Sequence, residues 1–402
     1  MDSYQNLIHD FKNTKPTIAV FMSVCPPPYI GGAEQSAMDY ATYLNQNHFN
    51  VIIYSLIGKR EAIVKEKIKE NLISIKIPIS LQFHPLLEIK NRKLLSKIIW
   101  HIRNLIQQKN KQNFLLAFKK IKPAAILCHN LPGWGVLPWS LSKKLNIPLV
   151  QMCHDYALAC FRSTMWTPIR GECKGKCIGC LPRRNVTKYW RKHLNIIFVS
   201  NYVMRKIDSA IKFPEKAKLK VIIPPINSPQ FNEKKSDVKF DFGYIGRITP
   251  EKGIIQALES SRRLNKKILV AGEGQFDYVE KLRAEFPEAY FVGTMNKWDF
   301  YSQVHVVLVL SLWPEPLART AIEATILGKP LVLSRNGGLM EVSSMSNNKA
   351  YFVNPLDKIE IDRSMIQALN NYDEQNIDAS NKDLSFCGEE LIKFINSAID
   401  RQ

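Results

Sequence analysis

Short segments that are apolar throughout alternate with helical patterns along the first half of the chain. Strands that are apolar on both faces are typical of a parallel sheet, because the connecting helices cover both sides of it. Residues 33–45 predict the first of these helices. The pattern therefore predicts a doubly wound α/β unit. Its strands are expected at residues 17–22, 51–56, 124–128, 149–153, 196–199 and 220–223.

The pattern restarts after a polar stretch at residues 232–239, which we interpret as a linker. Its strands are expected at residues 240–245, 267–270, 289–292, 304–310 and 330–333. We predict an N-terminal Rossmann-like domain at 1–228, a C-terminal one at 229–385, and a terminal helix at 386–402 that packs back on the first domain. Two such domains leave a cleft between the carboxyl ends of their strands, where open α/β sheets bind ligands.

Composition and charge narrow the function classes. The 402 residues are 46% hydrophobic, which excludes a disordered chain and a collagen-like fibre. With 56 Lys and Arg against 36 Asp and Glu, the net charge is +20, which favours an anionic partner. No apolar run approaches the ~20 residues of a membrane span. The polar N-terminus does not resemble a signal peptide, so we expect a cytoplasmic protein with reduced cysteines.

The basic surplus is concentrated in residues 59–122, where 16 Lys or Arg face 4 Asp or Glu, a net of +12. A helix within this region has one apolar face and four basic residues around it, and two interpretations stay open. It is either a surface helix that lies on anionic lipid or an ordinary core helix with one solvated face. The charge favours the membrane. The apolar face comprises Leu95, Ile98, Ile99, Ile102, Leu105 and Ile106, and the basic residues are Arg92, Lys93, Lys97 and Arg103. The basic, aromatic stretch at residues 183–193 either extends this face or is ordinary surface.

Three loops at predicted strand ends carry candidate chemistry. Gly31 and Gly32 open the first helix, where free N–H groups and the helix dipole favour a phosphate. Arg247 and Lys252 follow the strand at 240–245 and are suited to clamp a diphosphate. Two glutamates eight residues apart, at 315 and 323, offer acceptors to sugar hydroxyls. Each loop alone also has an ordinary structural explanation, so their order along the chain is the informative feature.

Two histidines follow predicted strands in the first unit. His154 comes directly after the strand at 149–153 and is expected to face the cleft, with Asp155 beside it to fix its tautomer or to cap a helix. His129, after the strand at 124–128, is the weaker candidate. We favour a functional role for His154 and a structural one for His129.

Four cysteines lie within 21 residues of an insertion at about 156–190. Their spacing is C-x12-C-x3-C-x2-C, in Cys160, Cys173, Cys177 and Cys180. In a reduced protein such a cluster suggests a structural zinc. The spacing is not a standard double C-x2-C pattern, so buried or free thiols and an iron–sulfur cluster remain alternatives.

In this order the motifs resemble the retaining GT-B glycosyltransferases of the "glycosyl transferases group 1" (family 4) type, over nearly the whole chain. The most specific segment is 314–332, followed by Gly337, Gly338 and Glu341. One departure is Ala318, where the family usually has glycine. The remaining matching segments are 31–34, the strand ending at His154, 242–253, 270–275 and 291–294.

The resemblance implies roles for individual residues. Arg247 and Lys252 would bind the donor diphosphate, Glu315 the transferred sugar and Glu323 the ribose hydroxyls. Gly31 and Gly32 would close over the phosphates, and His154 would reach the reaction centre. The other donor-binding positions would be Gly246, Gly272, Gly293, Leu317, Ala318, Arg319 and Thr320.

The predicted reaction moves a sugar from a nucleotide donor to a hydroxyl of a glycan or lipid-linked glycan, as in polysaccharide or lipopolysaccharide assembly at the inner face of a membrane. The chain has no Asp-x-Asp pair, so we expect no catalytic metal and no cofactor beyond the donor itself. The near alternative is a sugar-nucleotide epimerase. A nucleic-acid-binding protein would explain the charge but not the motif order, and a scaffold without activity would not need these charged residues.

Overall fold

Two parallel β-sheets, each covered by helices on both faces, organise this computed structural model. It describes residues 5–26, 31–84, 88, 92–175, 177–226, 239–345, 349–372 and 385–400. We call the part up to residue 226 the first lobe and residues 239–372 the second lobe. Within the described residues, none of the helices combines the length and the apolar character that crossing a membrane requires. The two-sheet α/β architecture agrees with the predicted fold class.

The first lobe is built on an eight-stranded sheet in the order β10-β9-β6-β5-β1-β2-β4-β3, parallel except for β3. The residues of β1 alternate between two hydrophobic clusters, with Ala19 and Phe21 in one and Ile18 and Val20 in the other. Helices thus cover both faces, as the apolar pattern predicts. The strands are β1 (Thr17–Phe21), β2 (Asn50–Ile57), β3 (Val64–Lys69), β4 (Leu72–Pro78), β5 (Ala125–Cys128), β6 (Leu149–Cys153), β7 (Trp166–Thr167), β8 (Gly171–Glu172), β9 (Asn195–Phe198) and β10 (Leu219–Val221).

The helices of this lobe follow its strands, and a small hairpin, β7–β8, stands apart from the main sheet in the cysteine-rich insertion. The helices are α1 (Gly32–Gln46), α2 (Leu94–Leu105), α3 (Lys111–Ile121), α4 (Leu137–Leu145), α5 (Leu181–Trp190) and α6 (Asn201–Ile211), with 3-10 turns at Gln5–Leu7, Ile178–Cys180 and Arg191–His193.

The second lobe has a six-stranded, wholly parallel sheet in the order β13-β12-β11-β14-β15-β16. Its strands are β11 (Phe240–Ile245), β12 (Ile268–Ala271), β13 (Tyr290–Gly293), β14 (Val304–Val309), β15 (Leu331–Ser334) and β16 (Ala350–Val353). Its helices are α7 (Ile254–Arg263), α8 (Phe276–Glu285), α9 (Lys297–Ser302), α10 (Arg319–Ile326) and α11 (Lys358–Asn370), with 3-10 turns at Pro250–Lys252 and Gly337–Met345.

The C-terminal helix α12 (Ser385–Ile399) packs against the first lobe rather than the second. Cys387, Leu391 and Ile395 are buried in the same hydrophobic cluster as Tyr40 of α1. In sequence, the second lobe therefore lies between two parts of the chain that pack together. The predicted linker lies almost wholly outside the described residues, and the predicted domain boundaries stay predictions.

Every predicted strand is present, with its ends moved by at most two residues. Three strands of the two main sheets and the short hairpin β7–β8 were not predicted. β3 pairs as an antiparallel edge strand with mostly exposed, charged side chains, so it offers no apolar run to find. β4 is buried, but it lies within the basic region 59–122, which we had associated with the protein surface. β16 is a four-residue edge strand.

Candidate active site

The loop after β11 brings Lys252 to the first candidate glutamate. Gly253 has φ +74°, and a Cβ at this position would lie 1.9 Å from the carbonyl oxygen of Leu310, so only glycine fits. The tight approach joins the loop to the end of β14, where the Leu312 N–H donates to the Glu251 carbonyl at 2.9 Å. As a result, Lys252 Nζ lies 2.5 Å from Glu315 Oε1.

Glu315 is a buried carboxylate held by three donors. Besides Lys252, Ser311 Oγ donates at 2.7 Å and Trp313 Nε1 at 3.0 Å, all to Oε1. Behind it, the Gly338 N–H donates to the Glu315 carbonyl at 2.7 Å, and a Cβ on Gly338 would lie 1.9 Å from the Pro316 carbonyl oxygen. The carboxylate is fixed in place, with its second oxygen left for a ligand.

Glu323, the second glutamate, sits inside α10 and is also buried. Its Oε1 lies 2.6 Å from Lys297 Nζ and 3.1 Å from the Arg319 guanidinium, and Tyr301 donates to Oε2 at 3.1 Å. The helix begins at Arg319. Glu315 therefore belongs to the loop before it, and Glu323 lies inside the helix.

Arg319 reaches from the second lobe into the first. Its guanidinium lies 2.9 Å from Asp39 Oδ2 and donates to Ser36 Oγ at 2.9 Å, both on α1. Burial lowers the pKa of Arg319, but the charges of Asp39 and Glu323 outweigh it and the pKa is raised overall. The cation thus stays charged and ties the Glu323 helix to the first lobe.

The glycine loop of the first lobe faces the same place. A Cβ on Gly32 would lie 3.2 Å from Arg319 Cδ, so the start of α1 meets the start of α10. Glu34 is buried there, and burial raises its pKa against the opposing charge of Arg247. The Arg247 side chain is exposed and has no hydrogen-bonding partner among the described residues. Two helix N-termini and an unneutralised guanidinium therefore converge on one cleft.

Three further glycines occupy neighbouring strand ends on the second lobe. Gly246, Gly272 and Gly293 end or follow β11, β12 and β13. The Gly272 N–H donates to the Gly293 carbonyl at 2.7 Å, which places the three side by side. At the start of α10, the N–H groups of Ala318, Arg319 and Thr320 have no acceptor within the helix, and Leu317 directly precedes them. The predicted donor-binding residues of this lobe thus lie along one edge.

His154 is paired with His129, the candidate we rated weaker. His154 Nε2 lies 2.8 Å from His129 Nδ1, and the rings are stacked with centroids 5.1 Å apart. Burial, with a contribution from Arg319, lowers the pKa of His154 to about 3, and burial lowers the pKa of His129 as well. Both imidazoles are therefore neutral at physiological pH, and the contact with His129 fixes the orientation of the His154 ring.

Asp155 takes the capping role, the second of the two that we considered for it. Its Oδ1 accepts from the Ala157 N–H at 2.7 Å, so it caps the following turn rather than fixing the His154 tautomer. Burial raises the pKa of Asp155 to about 7.

The four clustered cysteines are not gathered into one site. Cys160 Sγ and Cys180 Sγ are 4.0 Å apart and buried, whereas Cys173 is half-buried and Cys177 is exposed. Within the part of the chain that the structure describes, no three His, Cys, Asp or Glu side chains are placed to hold a metal ion. The four-thiolate zinc arrangement is thus not formed, and a pair of thiols takes its place.

Sequence reasoning missed two charged residues of the site. Lys297 balances Glu323, and Asp39 holds Arg319. Lys297 follows β13, so the strand-end rule that found Arg247 could have found it. Asp39 lies two turns into α1, on the face that carries Gly32 and Ser36, and only the neighbouring lobe reveals its role.

Comparison with known proteins shows what the chain is similar to. Residues 227–382 match the family model described as "Glycosyl transferases group 1". An uncharacterized 42.6 kDa protein in the cps region of Klebsiella pneumoniae is 27% identical over 346 residues, which covers 83% of this chain and 89% of that protein.

Solved structures share the two-lobed fold. The sucrose-phosphate synthase of Thermosynechococcus elongatus superposes with a TM-score of 0.67 at 18% identity, covering 96% of this chain and 97% of the other. Anabaena HepE in complex with UDP superposes with a TM-score of 0.66 at 15% identity, covering 95% and 100%. The fold is that of the GT-B glycosyltransferases. The family model that matches residues 227–382 is that of the glycosyl transferases group 1, the family that the motifs resemble.

Proposed function

We propose that this protein transfers a sugar, with retention of its anomeric configuration, from a nucleoside-diphosphate sugar to a hydroxyl of a glycan acceptor. The observation that carries the proposal is the convergence of Arg247, the Lys252–Glu315 pair and the N-termini of α1 and α10 on one cleft. Such a cleft offers positive charge to a diphosphate and a fixed carboxylate to a sugar hydroxyl.

In this reaction the bond between the anomeric carbon and the diphosphate oxygen breaks, and the acceptor oxygen forms the new bond. Negative charge grows on the departing diphosphate, where Arg247, Lys252 and the N–H groups at the start of α10 stabilise it. The acceptor proton passes to the leaving phosphate on the same face, which accounts for retention. Glu315 orients the sugar and His154 approaches it from the first lobe.

Glu323 is proposed to accept hydrogen bonds from the ribose. Lys297 and Arg319 form ion pairs with this carboxylate and hold it in position, and Tyr301 donates to its other oxygen. Because UDP is bound in the structurally similar Anabaena HepE, uracil is the first base to test.

We further propose that the acceptor is lipid-linked or phosphate-bearing and is met at an anionic membrane surface on the cytoplasmic side. The net +12 of residues 59–122 supports this class of acceptor, and so does the location of the Klebsiella pneumoniae relative in a cps region. The product would then be a surface polysaccharide or a lipopolysaccharide.

The proposal is tested by thermal unfolding with UDP-, GDP-, ADP- and dTDP-sugars in the presence of EDTA. A donor at about a hundredfold above its Kd adds about 2.7 kcal/mol to stability, so one base should raise the Tm. Arg247→Ala should abolish the rise. Arg283→Ala is the matched control, because it removes an exposed cation on α8 of the same lobe.

If no donor raises the Tm, or if Arg247→Ala responds as Arg283→Ala does, the donor site is wrongly placed. Product analysis separates the near alternative: a sugar-nucleotide epimerase converts the donor without acceptor, whereas a transferase requires one.

A further inference from the structure

One helix of the first lobe exposes its apolar side chains to solvent. In α2 and the residue after it, Leu94, Leu95, Ile98, Ile102 and Ile106 are between 47% and 74% exposed. Spacings of four residues place them on one stripe of the helix. We call these five residues the α2 stripe. Ten other large apolar side chains among the described residues are at least 47% exposed, but they lie singly or in pairs along the chain.

The α2 stripe is not the face that holds the helix to the protein. Trp100 is 2% exposed and its Nε1 donates to the Phe83 carbonyl at 3.0 Å, while Asn104 Oδ1 accepts from the Gly133 N–H at 2.7 Å. Trp100 and Asn104 lie on the opposite side of the helix from Ile98 and Ile102. Among the described residues the helix has a core face, which includes Leu105 of the predicted apolar face, and a separate apolar stripe that is exposed.

The helix lies at the edge of the sheet where the reaction is proposed. Its core-facing contacts, Phe83 and Gly133, belong to the loops after β4 and β5, and His84 of the first loop lies 3.3 Å from the carbonyl oxygen of Ser23, which follows β1. These loops leave the carboxyl ends of parallel strands, as do His129 and His154. A surface docked on the α2 stripe would therefore lie beside the cleft.

The charge around the α2 stripe identifies the partner. Residues 92–106 contain Arg92, Lys93, Lys97 and Arg103 and no acidic residue. Lys93 and Arg103 are exposed. Five exposed aliphatic side chains bordered by cations match an anionic bilayer, which takes up the apolar groups and attracts each cation by about 1 kcal/mol.

We propose that α2 is a membrane-docking helix, and that the α2 stripe inserts into the headgroup region of an anionic bilayer and holds the cleft of the first lobe against it. The inference rests on the proposed function for its purpose, since a lipid-linked acceptor needs such docking, but the contact itself can be measured without any sugar transfer.

The test is co-sedimentation of the full chain with vesicles of phosphatidylcholine alone and of equal parts phosphatidylcholine and phosphatidylglycerol. The wild-type chain should bind the anionic vesicles and not the neutral ones. Ile98→Asn with Ile102→Asn should lower the partition coefficient at least about tenfold. Lys93→Gln with Arg103→Gln should lower it by about fivefold for each charge.

The matched control is Leu356→Asn with Ile359→Asn, which removes two aliphatic side chains of equal or greater exposure from the second lobe. It should bind anionic vesicles as the wild type does. The donor-induced rise in Tm, measured on every variant, should be unchanged, because these residues lie outside the donor site.

Failure of the wild type to bind anionic vesicles overturns the inference, and so does unchanged binding by the Ile98 and Ile102 variant. If that variant instead turns a dimer into a monomer in light scattering, the α2 stripe covers a second copy and the inference is also wrong. A missing donor response with intact vesicle binding would count against the proposed function alone.

Discussion

At the scale of single residues, the cleft holds its ionisable groups in states that their burial dictates. Glu315 and Glu323 are buried carboxylates that each have a lysine within 2.6 Å. His129 and His154 have no such counterion, and burial lowers the pKa of both. The site therefore combines paired charges on the donor side with neutral imidazoles on the first lobe, where a hydroxyl-bearing acceptor would meet no fixed cation from histidine.

The neutral histidine pair predicts a specific sensitivity to acid. The unfolded chain takes up protons near the ordinary pKa of 6.5, whereas folded His154 does so only near pH 3, so this contribution to stability is complete above 6.5 and is lost as the pH falls. Between about pH 7 and about pH 5 the loss is about 2 kcal/mol for His154, and His129 acts in the same direction. Asp155 and Glu34, with raised pKa values, oppose it.

Urea unfolding at both pH values isolates the histidine contribution. His129→Gln with His154→Gln should lose less stability than the wild type on acidification, by about 2 kcal/mol or more. His48→Asn is the control, since His48 is exposed and has φ +70°, a conformation that asparagine tolerates. An identical acid response in the wild type and the double variant would show that the pair is charged or open to solvent.

At the scale of elements, the sequence predicted what depends on apolar periodicity and strand ends. Eleven strands of the two sheets, the glycine loops and the placement of Glu315 and Glu323 follow from local pattern. It could not show that α2 turns its larger apolar stripe outward, because a helix with apolar residues on two sides gives no sign of which side is covered. The partnership of Asp39 with Arg319, 280 residues apart, depends on how the lobes meet.

The 3-10 turn that carries Lys252 shows how one glycine positions this side chain. Gly253→Ala should destabilise the protein by about 3 kcal/mol or more, since the new methyl must move the end of β14 as well as adopt a positive φ. Gly171→Ala is the control: its φ is +62°, but a Cβ there would meet no atom within 4 Å, so it should cost only about 1 kcal/mol.

Urea unfolding compares the two alanine variants directly. Equal losses would mean that β14 gives way to the methyl at no cost, and that glycine at position 253 is needed for its backbone conformation alone. A larger loss for Gly253→Ala would support the close approach that brings Lys252 to Glu315.

At the scale of the molecule, the two lobes are joined by polar contacts around the cleft. Tyr156 donates to the Pro314 carbonyl at 2.9 Å and Ser200 to the Pro316 carbonyl at 2.6 Å. Glu341 accepts from the Tyr202 N–H at 2.7 Å at the start of α6. All three contacts are made to the segment before α10 or to the 3-10 turn at Gly337–Met345. The arrangement of the lobes and the position of the proposed donor-binding segment therefore depend on the same contacts.

The ion pair between Arg319 and Asp39 also joins the two lobes and is buried. Burial has opposite effects on the pKa values of its two side chains. Burial raises the pKa of Asp39, although Arg319 lies beside it. The pKa of Arg319 is raised as well, because the charges of Asp39 and Glu323 outweigh the effect of its burial. The desolvation of the two charges therefore offsets much of the Coulomb attraction between them. Removing one partner leaves the other charge buried, so each single variant, Asp39→Asn or Arg319→Gln, should cost more than the pair is worth.

A double-mutant cycle on Asp39→Asn and Arg319→Gln should therefore give a coupling energy of about 1–3 kcal/mol in urea unfolding, with the double variant more stable than the sum of the singles implies. The control cycle uses Arg263 and Asp362, an ion pair of similar length, 2.8 Å, on the more exposed surface of the second lobe. Its coupling should stay below about 1 kcal/mol, because water screens both groups.

Since Arg319 also holds Glu323, Asp39→Asn should weaken donor binding in the thermal assay even though Asp39 lies in the other lobe. A coupling no larger than that of the control, with donor binding unchanged, would mean that the lobes close without this pair.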